Sequence, residues 1–313
     1  MKDETFPYIY EDFGGKTGLL WWQDKMTLAR QTAKFVLLIT LLLPQHPPMS
    51  DILQQIIANK AIEVKKAKKH RPLRELLAQT KDLPPTRSLR HSLETHKGGI
   101  IAEFKRRSPS KDWIKRDARP TDIIPAYQAA GAAALSILTD NHYFGGSLAD
   151  VIEARPLTTL PILRKEFVID EYQLVEARLA GADACLLIAA AIGAERCHEL
   201  AAKAHELGLE VILEVHAAEE LDAYCDCVDV IGVNNRNLKV FKTDISISED
   251  LFPLLPKAAL PISESGLLLP SSAKHLHEVG YRGFLIGEAF MRTPSPGDAL
   301  KKYINSMGKC ADG

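Results

Sequence analysis

The chain has 313 residues, of which 46% are hydrophobic, and this length and composition are typical of a folded globular protein with a large core. Its 39 lysine and arginine residues nearly balance 40 aspartate and glutamate residues, so the formal net charge is -1. This balance excludes a global electrostatic attraction to nucleic acid or to an anionic membrane, and we expect neither as a partner. Any site for an anion must therefore be local.

Residues 1–48 differ from the rest of the chain in composition, because they are rich in aromatic residues and end in a proline-rich stretch. Their best apolar run, Phe35 to Leu43, is shorter than the ~20 residues that a membrane helix needs. The run begins too deep in the chain for an ordinary signal peptide, although a short hydrophobic segment after Lys34 leaves that alternative open. We predict an atypical leader, either disordered or absent from the native protein, and a natural start at Met49.

The predicted catalytic domain spans residues 49–313 and begins with an amphipathic helix. Ser50 or Asp51 can cap this helix, and apolar residues then recur at helical spacing. These apolar positions include Ile52, Leu53, Ile56, Ile57 and Ile62.

From Gly99 onward, short runs of β-forming residues alternate with longer helical patterns, which predicts repeated βα units and a parallel sheet. The predicted strands are residues 99–106, 134–140, 161–167, 183–189, 209–215, 229–234, 261–264 and 283–287. About eight strands close a barrel of this kind, so we predict an α/β protein with a (β/α)8 TIM barrel. Gly181, Gly208 and Gly280 are expected to end helices. An open doubly wound sheet is the alternative, but no glycine-rich dinucleotide motif follows the first strand.

The first of these strands ends in the most informative residues of the chain. Glu103 and Lys105 are two residues apart, so both side chains should project from the same face of the strand at its carboxyl end. Parallel-barrel enzymes have their catalytic residues at this end, and Arg107 and Ser108 in the following turn suit a bound anion. The alternative is a surface strand with an ordinary salt bridge.

Polar residues also gather at the carboxyl ends of the later strands, where a closed barrel would direct them into one mouth. They are Lys165, Glu214, Asn234, Arg236, Glu264 and Ser265. Lys165 alone could be a solvated strand end, but Glu214 lies among aliphatic residues, where an acid is costly without a partner. His216 could be a metal ligand, a base or a structural histidine. Jointly, these placements favour a functional site.

The last two strands predict a phosphate site. Gly266 and Gly287 follow them, and small residues at these positions let backbone amides approach an anion. The alternative is that both glycines only form tight turns. Glu288 argues against a crowded phosphate unless its side chain points away.

The cysteines do not have the paired spacing of a metal site, and Cys225 with Cys227 is only a weak indication of metal or redox chemistry. The five are Cys185, Cys197, Cys225, Cys227 and Cys310. We expect reduced thiols in a cytoplasmic protein.

Seven groups of residues, taken in chain order, resemble the sequence motifs of a known family. They are residues 103–111, 135–140 with 144–147, 163–167, 181–183, 213–216, 231–236 and 263–266. From about Met49 to its end, the chain resembles the indole-3-glycerol phosphate synthase family. The resemblance implies a (β/α)8 barrel with an extra N-terminal helix, and a carboxy-lyase of tryptophan biosynthesis that needs no metal or organic cofactor. The implied reaction converts 1-(2-carboxyphenylamino)-1-deoxyribulose 5-phosphate into indole-3-glycerol phosphate, carbon dioxide and water.

The resemblance also implies catalytic roles. Lys165 would be the general acid that polarises the substrate ketone for ring closure, and Glu214 its acid/base partner. Glu103 and Lys105 would handle carboxylate positioning and the proton transfers of dehydration. The division of the acid steps between Lys105 and Lys165 is left open.

Substrate contacts follow from the same resemblance. Substrate hydroxyl and carboxylate groups would be oriented by Asn234, Arg236 and Glu264. The phosphate would contact Arg107, Ser108, Ser265, Gly266 and Gly287. The apolar wall for the anthranilate ring would consist of Pro109, Phe144, Phe167 and Leu186. Barrel packing is the generic alternative for Leu186.

The chain departs from the family pattern at a few places. Asp112 stands where we expect glycine, and Phe241 occupies a position that is usually smaller. Aspartate tolerates a left-handed backbone better than most residues, so we expect altered loop closure or product release and intact chemistry. Residues 1–48 have no family counterpart, and we expect no fused second barrel.

Two other functions are the alternatives. A different phosphate-binding barrel, such as phosphoribosylanthranilate isomerase, would not require both strand-end lysines. A noncatalytic barrel that only binds ligand in a pathway assembly would not need Glu103, Lys105, Lys165 and Glu214 together. For the assembly state we expect a monomer or a weak oligomer that acts on a small phosphorylated substrate.

Overall fold

The computed structural model describes residues 52–96, 98–236 and 242–308. Eight parallel strands form a closed barrel, which confirms the predicted fold class. The strands are β1 Ile100–Phe104, β2 Ala134–Leu138, β3 Ile162–Lys165, β4 Ala184–Ile188, β5 Glu210–Val215, β6 Val230–Asn234, β7 Leu260–Glu264 and β8 Gly283–Ile286. Each strand pairs with its sequence neighbours, and β8 pairs with β1 to close the barrel. The predictions for residues 1–48, for the helix cap and for Phe241 lie outside the described residues.

Helices precede the barrel and connect its strands. They are α1 Ile52–His70, α2 Leu73–Ala78, α3 Leu89–Thr95, α4 Pro120–Ala129, α5 Leu148–Ala154, α6 Glu171–Ala180, α7 Ala189–Glu206, α8 Ser246–Leu251, α9 Pro270–Val279, α10 Glu288–Met291 and α11 Pro296–Gly308. The predicted N-terminal helix is therefore present as α1, which packs against α6 and α7. In the described parts of the chain, no helix has the length and apolar character needed to cross a membrane.

Successive side chains along each strand point alternately outward to the helices and inward to the barrel, so they form two apolar layers. In β1, Ile100, Ala102 and Phe104 join the core between the strands and the helices, whereas Ile101 packs inside the barrel. Leu89 and Leu93 of α3 belong to the same interior cluster. The barrel interior is therefore filled by side chains, and its functional space lies beyond the carboxyl ends of the strands.

Local signals begin and end the helices that surround the barrel. Asp170 and Gln173 form a capping box at the start of α6, where each side chain accepts a hydrogen bond from the other end of the first turn. Gly181 ends α6 with φ of 89°, a left-handed conformation that glycine adopts at little cost. Gly208 and Gly280 also lie at the ends of α7 and α9, as predicted, with φ of 75° and 135°.

Candidate active site

The carboxyl ends of the strands bring the predicted acidic and basic residues into one mouth. Two adjoining cavities lie there, an apolar one of about 140 Å³ and a polar one of about 450 Å³. Both cavities are lined by Glu103, Lys105, Lys165, Arg236 and Ser265. Residues far apart in the chain therefore meet at one boundary, as the strand-end pattern predicted.

The apolar cavity is lined by the predicted wall residues Pro109, Phe144, Phe167 and Leu186. The rings of Phe144 and Phe167 face each other with centroids 5.9 Å apart. Three residues of α1 complete the wall: Ile52, Leu53 and Ile56. The apolar face of α1 was predictable from its helical periodicity, but its contact with the site was not, because periodicity identifies a buried face without identifying what it covers.

Glu103 and Lys105 lie side by side at the end of β1, as expected for residues two apart. The Lys105 ammonium donates a hydrogen bond to the Glu103 carboxylate, and both side chains are largely buried. Gly287 lies opposite, and a Cβ atom there would collide with that carboxylate. The absence of a side chain at Gly287 therefore makes room for Glu103.

Lys165 lies at the centre of an acidic cluster at the end of β3. Its ammonium donates a hydrogen bond to Glu264 at the end of β7, and its Nζ atom is 3.3 Å from Oε2 of Glu214 in β5. Burial alone would lower the pKa of Lys165, but the carboxylates of Glu264, Glu214 and Glu103 outweigh it and raise the pKa. The surrounding carboxylates therefore favour the ammonium form of Lys165.

The two carboxylates that share Lys165 have opposite pKa shifts. Burial disfavours ionisation of Glu214, but Lys165, His216 and a hydrogen bond of 2.8 Å from Asn234 Nδ2 hold its pKa well below the usual value. Burial raises the pKa of Glu264 to about 7 against the opposing effect of Lys165. Two acids with separated pKa values can perform different proton transfers at neutral pH.

The polar cavity is lined by basic, acidic and hydroxyl side chains and by two glycines. Besides the shared residues, it is lined by Ser110, Lys111, Thr243, Glu264, Gly266, Gly287 and Glu288. Arg236 NH1 donates a hydrogen bond of 3.0 Å to Ser110 Oγ, while its buried Nε has no hydrogen-bond partner in the described residues. The Oε1 atom of Glu264 is likewise buried without such a partner. Unpaired buried polar atoms at a cavity indicate a site that binds a polar ligand.

The residues predicted to bind substrate in the turn after β1 do not all face the cavities. Ser108 and Pro109 line the apolar cavity, but Arg107 lines neither cavity. Arg107 Nε donates a hydrogen bond of 2.8 Å to Asp112, and its guanidinium stacks on Trp113. The predicted phosphate contact of Arg107 therefore stays a prediction. The strand β1 ends at Phe104, so the in-and-out alternation does not set the direction of this side chain.

A buried ion cluster beside the site was missed by sequence reasoning. Lys60 of α1 places its Nζ 3.0 Å from Asp140 and 3.1 Å from Glu166, at the ends of the β2 and β3 strands. Asp140 accepts the backbone N–H of Tyr143, and Glu166 accepts that of Phe167. The cluster therefore connects α1 to the two loops that carry the aromatic wall. A lysine in a helix with several lysines offers no local signal for this role.

The cysteines in the described residues are free thiols. Burial raises the pKa of Cys185 and of Cys197 to about 12, which makes both poor nucleophiles. Among the described residues, no cluster of histidine, cysteine, aspartate or glutamate side chains is arranged to hold a metal ion.

Comparison with known proteins identifies the family. The family model described as indole-3-glycerol phosphate synthase matches residues 53–303. The chain belongs to this family. Its relatives of that name include one from Bacteroides thetaiotaomicron, 54% identical over 83% of this chain and 100% of the relative. Another, from Bordetella pertussis, is 40% identical over 82% of this chain and 100% of the relative.

Solved structures with much lower sequence identity have a similar fold. A tryptophan synthase alpha-subunit from Pyrococcus furiosus superimposes with a TM-score of 0.52 at 13% identity, over 68% of this chain and 99% of that one. At this identity the similarity concerns the barrel alone.

One departure from the family pattern is visible in the structure. Asp112 has φ of 53°, so it occupies the left-handed region that glycine would adopt more easily. Its carboxylate is the group that binds Arg107. The substitution of aspartate for the expected glycine therefore supplies an ion pair within the loop after β1.

Proposed function

We propose that this protein is an indole-3-glycerol phosphate synthase, a lyase that closes, decarboxylates and dehydrates 1-(2-carboxyphenylamino)-1-deoxyribulose 5-phosphate. The observation that carries the proposal is the junction of an apolar and a polar cavity at Lys105 and Lys165. The substrate has an aryl ring at one end and a phosphate at the other, with its ketone between them. Such a molecule would span both cavities with its reacting carbons beside the lysines.

The aryl ring would occupy the apolar cavity. Phe144 and Phe167 offer ring faces, and Pro109 and Leu186 offer aliphatic surface. Confinement there holds an electron-rich ring carbon near the ketone, which removes much of the entropic cost of forming the new bond. Asn234 and Glu264 would orient the hydroxyl groups of the sugar chain.

The phosphate would occupy the polar cavity. Arg236 supplies a positive charge, Ser265 a hydroxyl group, and Gly266 and Gly287 backbone that an anion can approach closely. Ser108 lies on the apolar side of the same boundary. Arg107 would be a further phosphate ligand from the loop after β1, where its Nε donates a hydrogen bond to Asp112.

Ring closure needs an acid at the ketone. The ring carbon that bears the carboxylate attacks the ketone carbon, and the ketone oxygen takes a proton from the Lys165 ammonium. The bond to the carboxylate then breaks, carbon dioxide leaves, and its electron pair restores the aromatic ring. Since charge develops on the ketone oxygen only in the transition state, the Lys165 interaction strengthens there.

Dehydration needs a second acid and a base. We assign the acid to Lys105, which Glu103 orients, because Lys165 has already given up its proton. The new hydroxyl leaves as water with the Lys105 proton, and Glu214 takes a proton from the carbon bonded to nitrogen. The indole double bond forms from that C–H pair of electrons, so atoms and charge balance.

The activity is tested by supplying the purified protein with the substrate and following indole fluorescence. We expect turnover in the wild type and near-complete loss in Lys165→Ala, with substrate binding largely retained by calorimetry. Lys301→Ala, on the exposed face of α11, is the control and should match the wild type. Ordinary turnover by Lys165→Ala would refute the assigned role.

A noncatalytic barrel is the remaining alternative. It predicts that the wild type binds the substrate tightly without any rise in fluorescence. The cluster of Glu103, Lys105, Lys165 and Glu214 favours the enzyme, because buried charges of this number are costly to keep without a catalytic use.

We further propose that the protein acts in the cytoplasm as a monomer or a weak oligomer, with Met49 as the natural start. The free thiols, of which Cys185 and Cys197 are buried, support the cytoplasmic location.

A start at Met49 is supported by the relative from Bacteroides thetaiotaomicron, which aligns over its whole length with 83% of this chain. N-terminal sequencing of native protein and light scattering test these proposals.

A further inference from the structure

His216 lies directly after β5 and its ring is placed between two carboxylates. Its Nε2 atom is 3.3 Å from Oε1 of Glu214, and its Nδ1 atom is 3.3 Å from Oε2 of Glu220. Glu220 belongs to the short 3-10 turn Ala218–Ala223 and also accepts the backbone N–H of His216 at 2.8 Å. The second contact fixes the outer carboxylate, so the ring has a defined partner on each side.

This arrangement favours a proton on each ring nitrogen. A neutral imidazole would direct a lone pair at one of the two carboxylates, whereas an imidazolium presents positive charge to both. Nδ1 forms a hydrogen bond with Glu220, while Nε2 is within ion-pair distance of Glu214 without a hydrogen bond in the described residues. Burial alone would lower the pKa of His216, but Glu214 and Glu220 raise it to about 10. Lys165 of β3 approaches Glu214 from its other side, and the neutral amide of Asn234 in β6 completes the surroundings.

Glu214 is consequently held by a different cation at each oxygen. Lys165 faces Oε2 and His216 faces Oε1. As the proposed acid of ring closure, Lys165 loses its charge during the reaction, whereas His216 lines neither cavity. The positive charge of His216 therefore remains beside Glu214 after Lys165 has lost its own charge.

We propose that His216 is a positioning residue of the reaction, an imidazolium that keeps Glu214 ionised and oriented for the dehydration step after Lys165 has given up its proton. The inference deepens the proposed function and rests on Glu214 being the base. It assigns a role to a residue that touches none of the reacting atoms.

The test is the pH dependence of kcat at saturating substrate in His216→Gln, followed by indole fluorescence, because kcat reports the enzyme–substrate complex in which dehydration takes place. Loss of a cation 3.3 Å from the carboxylate should move the acid limb of the profile upward by about one pH unit. Below that limb kcat should fall about tenfold, while KM at the pH optimum stays close to the wild-type value. A profile that coincides with that of the wild type would overturn the inference.

The matched control is His205→Gln. His205 of α7 is paired with Asp229 at 2.9 Å, at the amino-terminal end of β6 and away from the mouth. The same chemical change there should leave the profile where it is. An equal shift in both variants would mean that the effect is not specific to Glu214, which would also overturn the inference.

Glu220→Gln separates positioning from packing, because it retains the His216 ring and removes only the outer charge. We expect an acid limb between those of the wild type and His216→Gln. Nitrogen-15 spectra of labelled wild-type protein should show both ring nitrogens of His216 protonated at pH 8, a readout that needs no variant to fold. A neutral ring at that pH would overturn the inference.

Glu214→Gln distinguishes failure of the inference from failure of the proposed function. Loss of turnover in Glu214→Gln together with an unchanged His216→Gln profile would remove only the role of His216. Normal turnover in Glu214→Gln would remove both the assigned base and the inference built on it.

Discussion

Replacement of Lys60 by methionine is predicted to destabilise the barrel far more than the loss of a helix salt bridge would. The side chains of Lys60, Asp140 and Glu166 are only 5%, 0% and 3% exposed, so their charges compensate one another away from water. Burial alone would lower the pKa of Lys60, but Glu166 and Asp140 outweigh it and raise the pKa. Methionine keeps most of the unbranched apolar side chain and removes the charged ammonium group.

The expected loss of stability comes mainly from Asp140, which would become a buried charge without a partner. Glu166 keeps hydrogen bonds from Thr139 Oγ1 at 2.7 Å and from the Phe167 N–H at 2.9 Å. Oδ2 of Asp140 has no hydrogen-bond partner, and Lys60 is the cation paired with it in the described residues. Removing one partner of a buried ion pair costs about 3–5 kcal/mol of unfolding free energy, and we expect a loss in that range.

Urea denaturation gives the unfolding free energies, and a double-mutant cycle isolates the pair. Lys60→Met combined with Asp140→Asn should recover at least about 1.5 kcal/mol, because the amide no longer needs a counter-charge. The control is Lys203→Met in α7, since Lys203 and Glu206 have the same i,i+3 spacing as Lys60 and Glu63 on an exposed face. The control should cost less than about 1 kcal/mol. A similarly small loss for Lys60→Met would refute the reasoning.

Three further predictions concern the site and the chain ends. Gly287→Ala would displace Glu103, so we expect kcat/KM to fall about tenfold. The control Gly308→Ala, whose new methyl group would lie in open space, should leave kcat/KM unchanged. Equal values of kcat/KM for the two variants would contradict this prediction. Because the pKa of Glu264 is raised to about 7, its favourable contribution to folding is complete below its unfolded-state value and is lost as pH rises through about 7. The stability of wild type relative to Glu264→Gln should therefore decrease over that window in urea melts, and a constant difference would exclude the shift. A chain that starts at Met49 should retain full turnover, and an inactive truncation would end that proposal.

The strand-end chemistry could be predicted from local rules. Period-two alternation correctly placed Glu103 and Lys105 on one face, and eight βα units predicted a closed barrel. In a closed barrel all carboxyl ends point the same way, so the meeting of Lys165 with Glu214 and Glu264 follows from topology. The family resemblance then supplied roles that spacing alone left open.

The tertiary structure decided what local rules do not reach. Arg107 pairs with Asp112 because the strand ends before it, and Lys60 enters the site region from a helix outside the barrel. The state of His216 depends on Glu220, four residues along but on a separate turn. Sequence determines which face a residue occupies, because that follows from backbone periodicity. The charge partners of that residue depend on distances of a few ångströms between separate helices, strands and loops, and only tertiary packing sets those distances.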